Sequence, residues 1–217
     1  MKRTSFLAIA MLLLAVFGGG GSISAQTDVT GTYLTNPSFE DNGANVAESG
    51  EANTISGWTL GRSKADKVVA SVWDNTTNAT GYGKTVTPAD ETYYSQIRIR
   101  WEDGINSGTL SQTSKSNLPA GLYQLSVKYK AASSNNTNGT EVSLAVKSGD
   151  INIGTASGTV KLSEPRNETS TYFIDTERSV LTVSFYLQAE ASINFSIKFA
   201  ANQNSDAIFD DCRLMSV

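Results

Sequence analysis

The chain of 217 residues has no histidine, a single cysteine (Cys212) and four prolines. The missing histidine excludes Ser-His-Asp and Cys-His catalysis and any zinc site built on imidazole. Whatever chemistry the chain performs must rest on carboxylates, tyrosine, lysine or a hard metal ion. The lone cysteine has no partner, so no disulfide staples the fold, and its apolar neighbours mark it as a small buried side chain rather than a reactive thiol. Charge is sparse and tilted: 17 Lys and Arg stand against 21 Asp and Glu, a net charge of −4. A mildly acidic chain without a basic stripe argues against nucleic acid and anionic membranes as partners.

Long apolar runs are absent too, apart from Phe6 to Phe17. That run follows Lys2 and Arg3, is broken by Gly18 to Gly21, and leads to the small residues Ser22-Ile23-Ser24-Ala25. This is the pattern of a secretory signal peptide over residues 1–25, too short to cross and remain in a bilayer. It predicts a product that is secreted or held at the cell surface or in the periplasm, without membrane insertion. The remaining length suits one domain able to bury its own core. We expect residues 26–32 to be a loose lead-in and residues 33–217 to form that domain.

What is present is strand. Leu122 to Ala131 sets Tyr123, Leu125, Val127, Tyr129 and Ala131 on one face and Gln124, Ser126, Lys128 and Lys130 on the other. Such period-two alternation is that of a half-buried strand. Val180 to Gln188 and Ile193 to Ala200 repeat it, and Ala189 to Ser192 between them is short enough for a hairpin. Val142, Leu144 and Val146 mark a further strand, and Tyr93 to Trp101 places Ile97, Ile99 and Trp101 opposite Arg98 and Arg100. Weaker patterns cover Tyr33–Thr35, Ser56–Leu60, Val68–Trp73, Gly108–Thr113, Asp150–Ala156, Thr159–Leu162, Ser170–Asp175 and Ala207–Leu214. No segment reads as a helix. Many short strands separated by Gly, Asn and Ser turns predict an all-β, antiparallel β-sandwich.

Two segments bracket this domain: Asn36-Pro37-Ser38-Phe39-Glu40 near the start and Ile208-Phe209-Asp210-Asp211-Cys212-Arg213-Leu214 at the end. Each sets carboxylates beside core-type residues, and an inward carboxylate needs a positive partner. Either the two ends meet at one cation, or the acids cap turns or pair with Arg62, Arg98 or Arg213. If Cys212 and Leu214 face the core, simple alternation points Asp210 inward as well.

Taken with Gly57-Trp58, Leu110-Ser111-Gln112 and Leu118-Pro119-Ala120-Gly121-Leu122-Tyr123, these segments form an ordered set. That set resembles the galactose-binding-like jelly-roll domains, in particular carbohydrate-binding modules of the family-four, family-nine and family-twenty-two type. The resemblance spans nearly the whole domain. It implies a non-catalytic domain that holds a polysaccharide or glycan, alone or beside a partner enzyme or surface complex. It also implies a structural Ca²⁺ held by Glu40 and the Asp210-Asp211 pair with backbone carbonyls, oxygen donors that suit this ion. Binding would fall to aromatics and polar groups outside the core pattern: Trp73, Tyr82, Tyr94, Arg98, Arg100 and Trp101, with Asp74, Gln96 and Glu102 nearby. Trp58, behind Gly57, reads as core, and Trp101 shares a face with Ile97 and Ile99. The rival expectation is a structural or adhesive sandwich that binds protein or matrix. An enzyme is not expected.

Overall fold

The computed structural model describes residues 26–74, 92–100, 104–133, 140–158, 160–162, 178–202 and 205–217. The predicted signal segment, Tyr82, Trp101, Glu102 and the predicted strand Ser170–Asp175 lie outside them. Among the described residues no helix is long and apolar enough to cross a membrane.

Among the described residues thirteen strands build two sheets: β1 (Thr27–Asp28), β2 (Val46–Ser49), β3 (Thr59–Arg62), β4 (Val68–Asp74), β5 (Tyr93–Ile99), β6 (Asn106–Thr113), β7 (Gly121–Ser133), β8 (Glu141–Ser148), β9 (Ile151–Gly158), β10 (Lys161–Leu162), β11 (Ser179–Leu187), β12 (Ile193–Ala201) and β13 (Ser205–Ser216). The larger sheet runs β10-β7-β13-β5-β4-β2, with β1 on β13 and β11 on β7. The smaller runs β3-β6-β12-β8-β9. Every pairing is antiparallel except that of β10 with β7. This is the expected all-β jelly-roll sandwich.

The alternation of β7, β11 and β12 is observed as predicted: Tyr123, Leu125, Val127 and Tyr129 meet Leu181, Val183, Phe185, Phe195, Ile197 and Phe199 in one core. Trp58 is in that core, stacked on Phe39 at 5.5 Å between ring centroids. The core also takes Cys212, and burial pushes its thiol pKa well up, as expected of an inert cysteine.

Three local expectations change. Ala189 to Ser192 is not a hairpin, because β11 pairs with β7 in one sheet and β12 with β6 and β8 in the other. The chain crosses between layers there, a jelly-roll connection that alternation cannot distinguish from a hairpin. Thr30–Tyr33 is a single helical turn, α1, where a strand was expected to begin. The lead-in is tethered rather than loose: Thr27 and Asp28 pair with Ser216 and Met215, and Val29 N–H donates to the Leu214 carbonyl at 2.9 Å.

Candidate active site on the outward face of the larger sheet

A sheet packed on one side normally turns its other face to water. The middle of the larger sheet does not. In β4 all of Val68 to Trp73 are buried, although Val68, Ala70 and Val72 already account for the core side. The same holds in β5, where Ser95, Ile97 and Ile99 alternate with buried Tyr94 and Gln96, and in β13, where Ala207 and Phe209 alternate with buried Asp206, Ile208 and Asp210.

Strand register assembles these outward side chains into rows. Ser71, Gln96, Ile208 and Lys130 stand side by side across β4, β5, β13 and β7. Val69, Arg98 and Asp206 form the next row, and Trp73 and Tyr94 the row on the other side. Strands about 4.8 Å apart bring such neighbours into contact.

A directed hydrogen-bond chain runs through them. Trp73 Nε1 donates to Ser71 Oγ at 2.7 Å, Ser71 Oγ to Gln96 Oε1 at 3.3 Å, and Gln96 Nε2 to Asp206 Oδ1 at 2.7 Å. Both ends of the Gln96 amide are thereby oriented, and the carboxylate of Asp206 accepts at the end of the relay. Asp206 is 0% exposed. Arg98 Nε stands 3.9 Å from the same oxygen, while Arg98 Nη1 grips Glu48 Oε1 at 2.6 Å and Arg100 Nη2 grips Glu48 Oε2 at 3.0 Å. Tyr94 adds a buried hydroxyl with no hydrogen-bond partner among the described residues. Burial first, then the nearby carboxylates of Asp74 and Asp206, push its pKa far above the phenol range, against the pull of Arg178. It stays a neutral donor.

Of the residues singled out in the sequence, Trp73, Tyr94 and Arg98 are brought together here. Arg100 reaches the same Glu48 from the more exposed end. Tyr82 and Trp101 lie outside the described residues. Trp73 is only 7% exposed and is pinned by its indole N–H, so it is not an exposed platform beside a loop. Sequence reasoning missed Asp206, Ser71 and Lys130. Asp206 fell one residue before the predicted strand, and Lys130 read as the solvent side of β7. The available signal was a lone acid leading the apolar run Ala207-Ile208-Phe209.

The bracketing segments do meet. Cys212 N–H donates to the Pro37 carbonyl at 3.0 Å. Asn36 braces the first segment: its Nδ2 donates to the Ser56 carbonyl, its Oδ1 accepts from Asp41 N–H, and its own carbonyl accepts from Trp58 Nε1. Glu40 Oε1 accepts from the N–H groups of Thr92 (2.9 Å) and Tyr93 (2.6 Å). Asp210 is buried and accepts from Asp211 N–H. Asp211 lies between Lys128 Nζ at 2.7 Å and Arg213 Nε at 2.6 Å, so Arg213 is one of the partners the sequence offered. A register shift between Asp210 and Arg213 puts Asp211 at φ 49°. This bulge reverses parity: Phe209 and Cys212 both enter the core, and Asp210 does not share a face with Cys212 as plain alternation had it. Among the described residues no three acidic, Cys or His side chains gather into a metal cluster.

The fold and this site define a jelly-roll β-sandwich whose larger sheet carries a second, buried polar face ending in an enclosed acid. The chain belongs to the HpiC1-like family, described as HpiC1 cyclase, which it matches over residues 31–215. A search of curated proteins finds no match. Among solved structures, Fisc, a Stig cyclase from Fischerella sp. TAU in complex with (3Z)-3-(1-methyl-2-pyrrolidinylidene)-3H-indole, is similar at 15% identity. The likeness covers 85% of this chain and 96% of that one, with a TM-score of 0.55. TmCBM61, solved with β-1,4-galactotriose, is similar at 18% identity over 86% of this chain and 99% of that one, with a TM-score of 0.52. These two likenesses concern the fold. Family membership overturns the expectation of a non-catalytic carbohydrate-binding domain, and with it the exclusion of an enzyme. The ordered motifs behind that expectation build turns, the Asn36 junction and the closing bulge, which are architecture and do not choose between a binding module and a cyclase.

Proposed function

We propose that the chain is a cyclase that closes a ring within one bound substrate by proton transfer on the outward face of the larger sheet. The observation that carries this reading is Asp206, a fully buried carboxyl oriented by Gln96. In such a dry setting a carboxyl group can protonate an unsaturated carbon, making its neighbour electrophilic. A second carbon of the same substrate then attacks, the new ring bond forms, and a proton leaves the resulting cation to the carboxylate. Proton and charge balance, and Asp206 ends as it began. Proton transfer by a positioned side chain contributes roughly 10²- to 10⁴-fold. Tyr94 would donate its hydroxyl hydrogen to an acceptor on the substrate. Trp73 and Ile208 offer the flat and apolar surface that a planar ring system needs.

The Fisc ligand serves as a binding probe, read by the tryptophan fluorescence of this chain, and unsaturated indole-bearing precursors serve as substrates, scored for products of unchanged mass. Asp206→Asn should keep the melting temperature and probe binding while losing about 10²-fold or more in turnover. Neither probe binding nor isomeric product with the folded wild type would overturn the reading.

We also assign one structural Ca²⁺ to the junction of the two bracketing segments, with Glu40 and Asp210 as carboxylate donors and main-chain carbonyls completing the shell. Hard oxygen donors on two segments joined by the hydrogen bond from Cys212 N–H to the Pro37 carbonyl support it. Its effect is on stability; proton transfer at Asp206 does not pass through it.

A further inference from the structure

We propose that Glu48 is a positioning residue of this site: by gripping Arg98 it keeps that guanidinium off Asp206 and so lets the carboxyl hold the proton it must give. The inference rests on the reading of Asp206 as proton donor and adds the group that controls it.

Glu48 lies on β2, and β4 stands between β2 and β5 in the sheet. Its carboxylate therefore spans β4 to reach Arg98 of β5 and Arg100 just beyond that strand. Each oxygen takes one of them: Oε1 accepts from Arg98 Nη1 at 2.6 Å, and Oε2 from Arg100 Nη2 at 3.0 Å. The side chains of Arg98 and Glu48 are 13% and 12% exposed, so little water screens the pair. Nε of the same guanidinium stands 3.9 Å from Asp206 Oδ1, beyond hydrogen-bond reach. Four charges thus alternate across the face: Arg100, Glu48, Arg98 and Asp206.

An arginine meets a carboxylate best side-on, through two parallel N–H bonds. Arg98 is about 1 Å short of such contact with Asp206. Closing that gap would favour the ionised form of Asp206, and an ionised carboxylate cannot protonate a carbon. Glu48 opposes the closure twice. It ties Nη1 to itself, and its negative charge offsets the guanidinium that Asp206 feels. Arg100 anchors the second oxygen, so the carboxylate of Glu48 is held at both ends. Among the described residues, the other charged or titratable groups near Asp206 are Tyr94 from β5, Lys130 from β7 and Asp210 on its own strand. These and Gln96 are unchanged in a Glu48 variant, so the effect of that variant reports Arg98.

Carbon-13 NMR of the aspartate carboxyls across pH, with the Asp206 signal assigned from Asp206→Asn, reads protonation without turnover. Glu48→Gln keeps the side-chain shape and removes the charge. Arg98, released from Glu48, then favours the ionised form, and the Asp206 midpoint should fall by about one pH unit or more. The high-pH limb of the product assay should move down equally, because the donor loses its proton at lower pH. Glu48→Asp keeps the charge on a shorter stem and should fall between the two. Glu48→Gln with Arg98→Gln removes the cation as well, and the midpoint should return to the wild-type value or above. Melting temperatures check that each sandwich is intact. A midpoint unmoved in Glu48→Gln, one equally low in the double variant, or an Asp206 ionised across the whole range in the wild type overturns the proposal. A midpoint that moves as stated while the wild type forms no product upholds the control by Glu48 and strikes the reading of the reaction.

Discussion

Asp206 and Asp211, five residues apart on β13, are both buried and are held by different means. Asp206 accepts a hydrogen bond from a neutral amide, with Arg98 at a longer reach. Asp211 is spoken for. Burial alone would raise its pKa, but hydrogen bonds and charge from Arg213 and Lys128 outweigh that and hold it below the usual carboxylate value. Its folded pKa therefore lies below its unfolded one, near 3.9. The stabilisation is present above that value and is lost as pH falls through the folded pKa. Lys128 and Arg213 are 35% and 52% exposed, so screening holds the effect to about 1 kcal/mol. Asparagine tolerates the left-handed backbone at this position, so Asp211→Asn removes charge with little strain. The variant should melt a few degrees lower than wild type at pH 7, and the gap should close toward pH 3. A gap constant from pH 7 to 3 would assign the role to packing instead.

At the scale of elements, the closing bulge of β13 has the largest consequence. One extra residue at Asp210-Asp211 lets Phe209 and Cys212 both face the core while Asp206, Ile208 and Asp210 stay outward. A bulge re-aims side chains in this way, so the strand supplies both the core seam and the site. The two layers come close at Gly108 of β6. A Cβ there would stand 2.6 Å from Ile97 Cγ2 and 2.9 Å from Val68 Cγ1, on the strands that carry Gln96, Arg98 and Ser71 outward. Gly108→Ala should cost about 1–3 kcal/mol as overpacking, read from denaturant unfolding. Gly61→Ala on β3, whose nearest neighbours would lie at 3.8 Å, provides a control with little change. Equal losses in both variants would remove the argument from close approach.

The whole molecule is a sandwich whose larger sheet is buried on both faces along β4, β5 and β13 and exposed on its outward face at β11. The polar face needs its rows of side chains in register, and the junction of the two chain ends helps to hold them. Through Glu40, the junction meets the start of β5, the strand that carries Tyr94, Gln96 and Arg98. The Ca²⁺ proposed for this junction predicts that chelation lowers the melting temperature by a few degrees and that added Ca²⁺ restores it by mass action. Glu40→Ala should melt at the chelated value with or without the ion. An unchanged melt of the wild type under chelation would remove the ion from the fold.

Much of the architecture was legible in the chain because alternation is local: a residue's parity within β7, β11 or β12 decides its face without knowledge of the partner strand. The absent histidine already confined any catalysis to carboxylates, tyrosine, lysine or a metal, and Trp73, Tyr94 and Arg98 were singled out. Which strands share a sheet was not legible, so the β11–β12 crossover read as a hairpin. Nor was the parity switch of the bulge, which made Asp210 seem to face inward beside Cys212. Lys130 read as a polar residue of a half-buried strand, since a pattern of period two says which face a side chain takes and not whether that face is dry, and Asp206 fell just outside the predicted strand. By itself the sequence determined strands, core and available chemical groups. Only the tertiary structure decided that the polar face of β4, β5, β7 and β13 is enclosed and that Gln96 orients Asp206, because both depend on cross-strand register between residues about 110 positions apart in the chain.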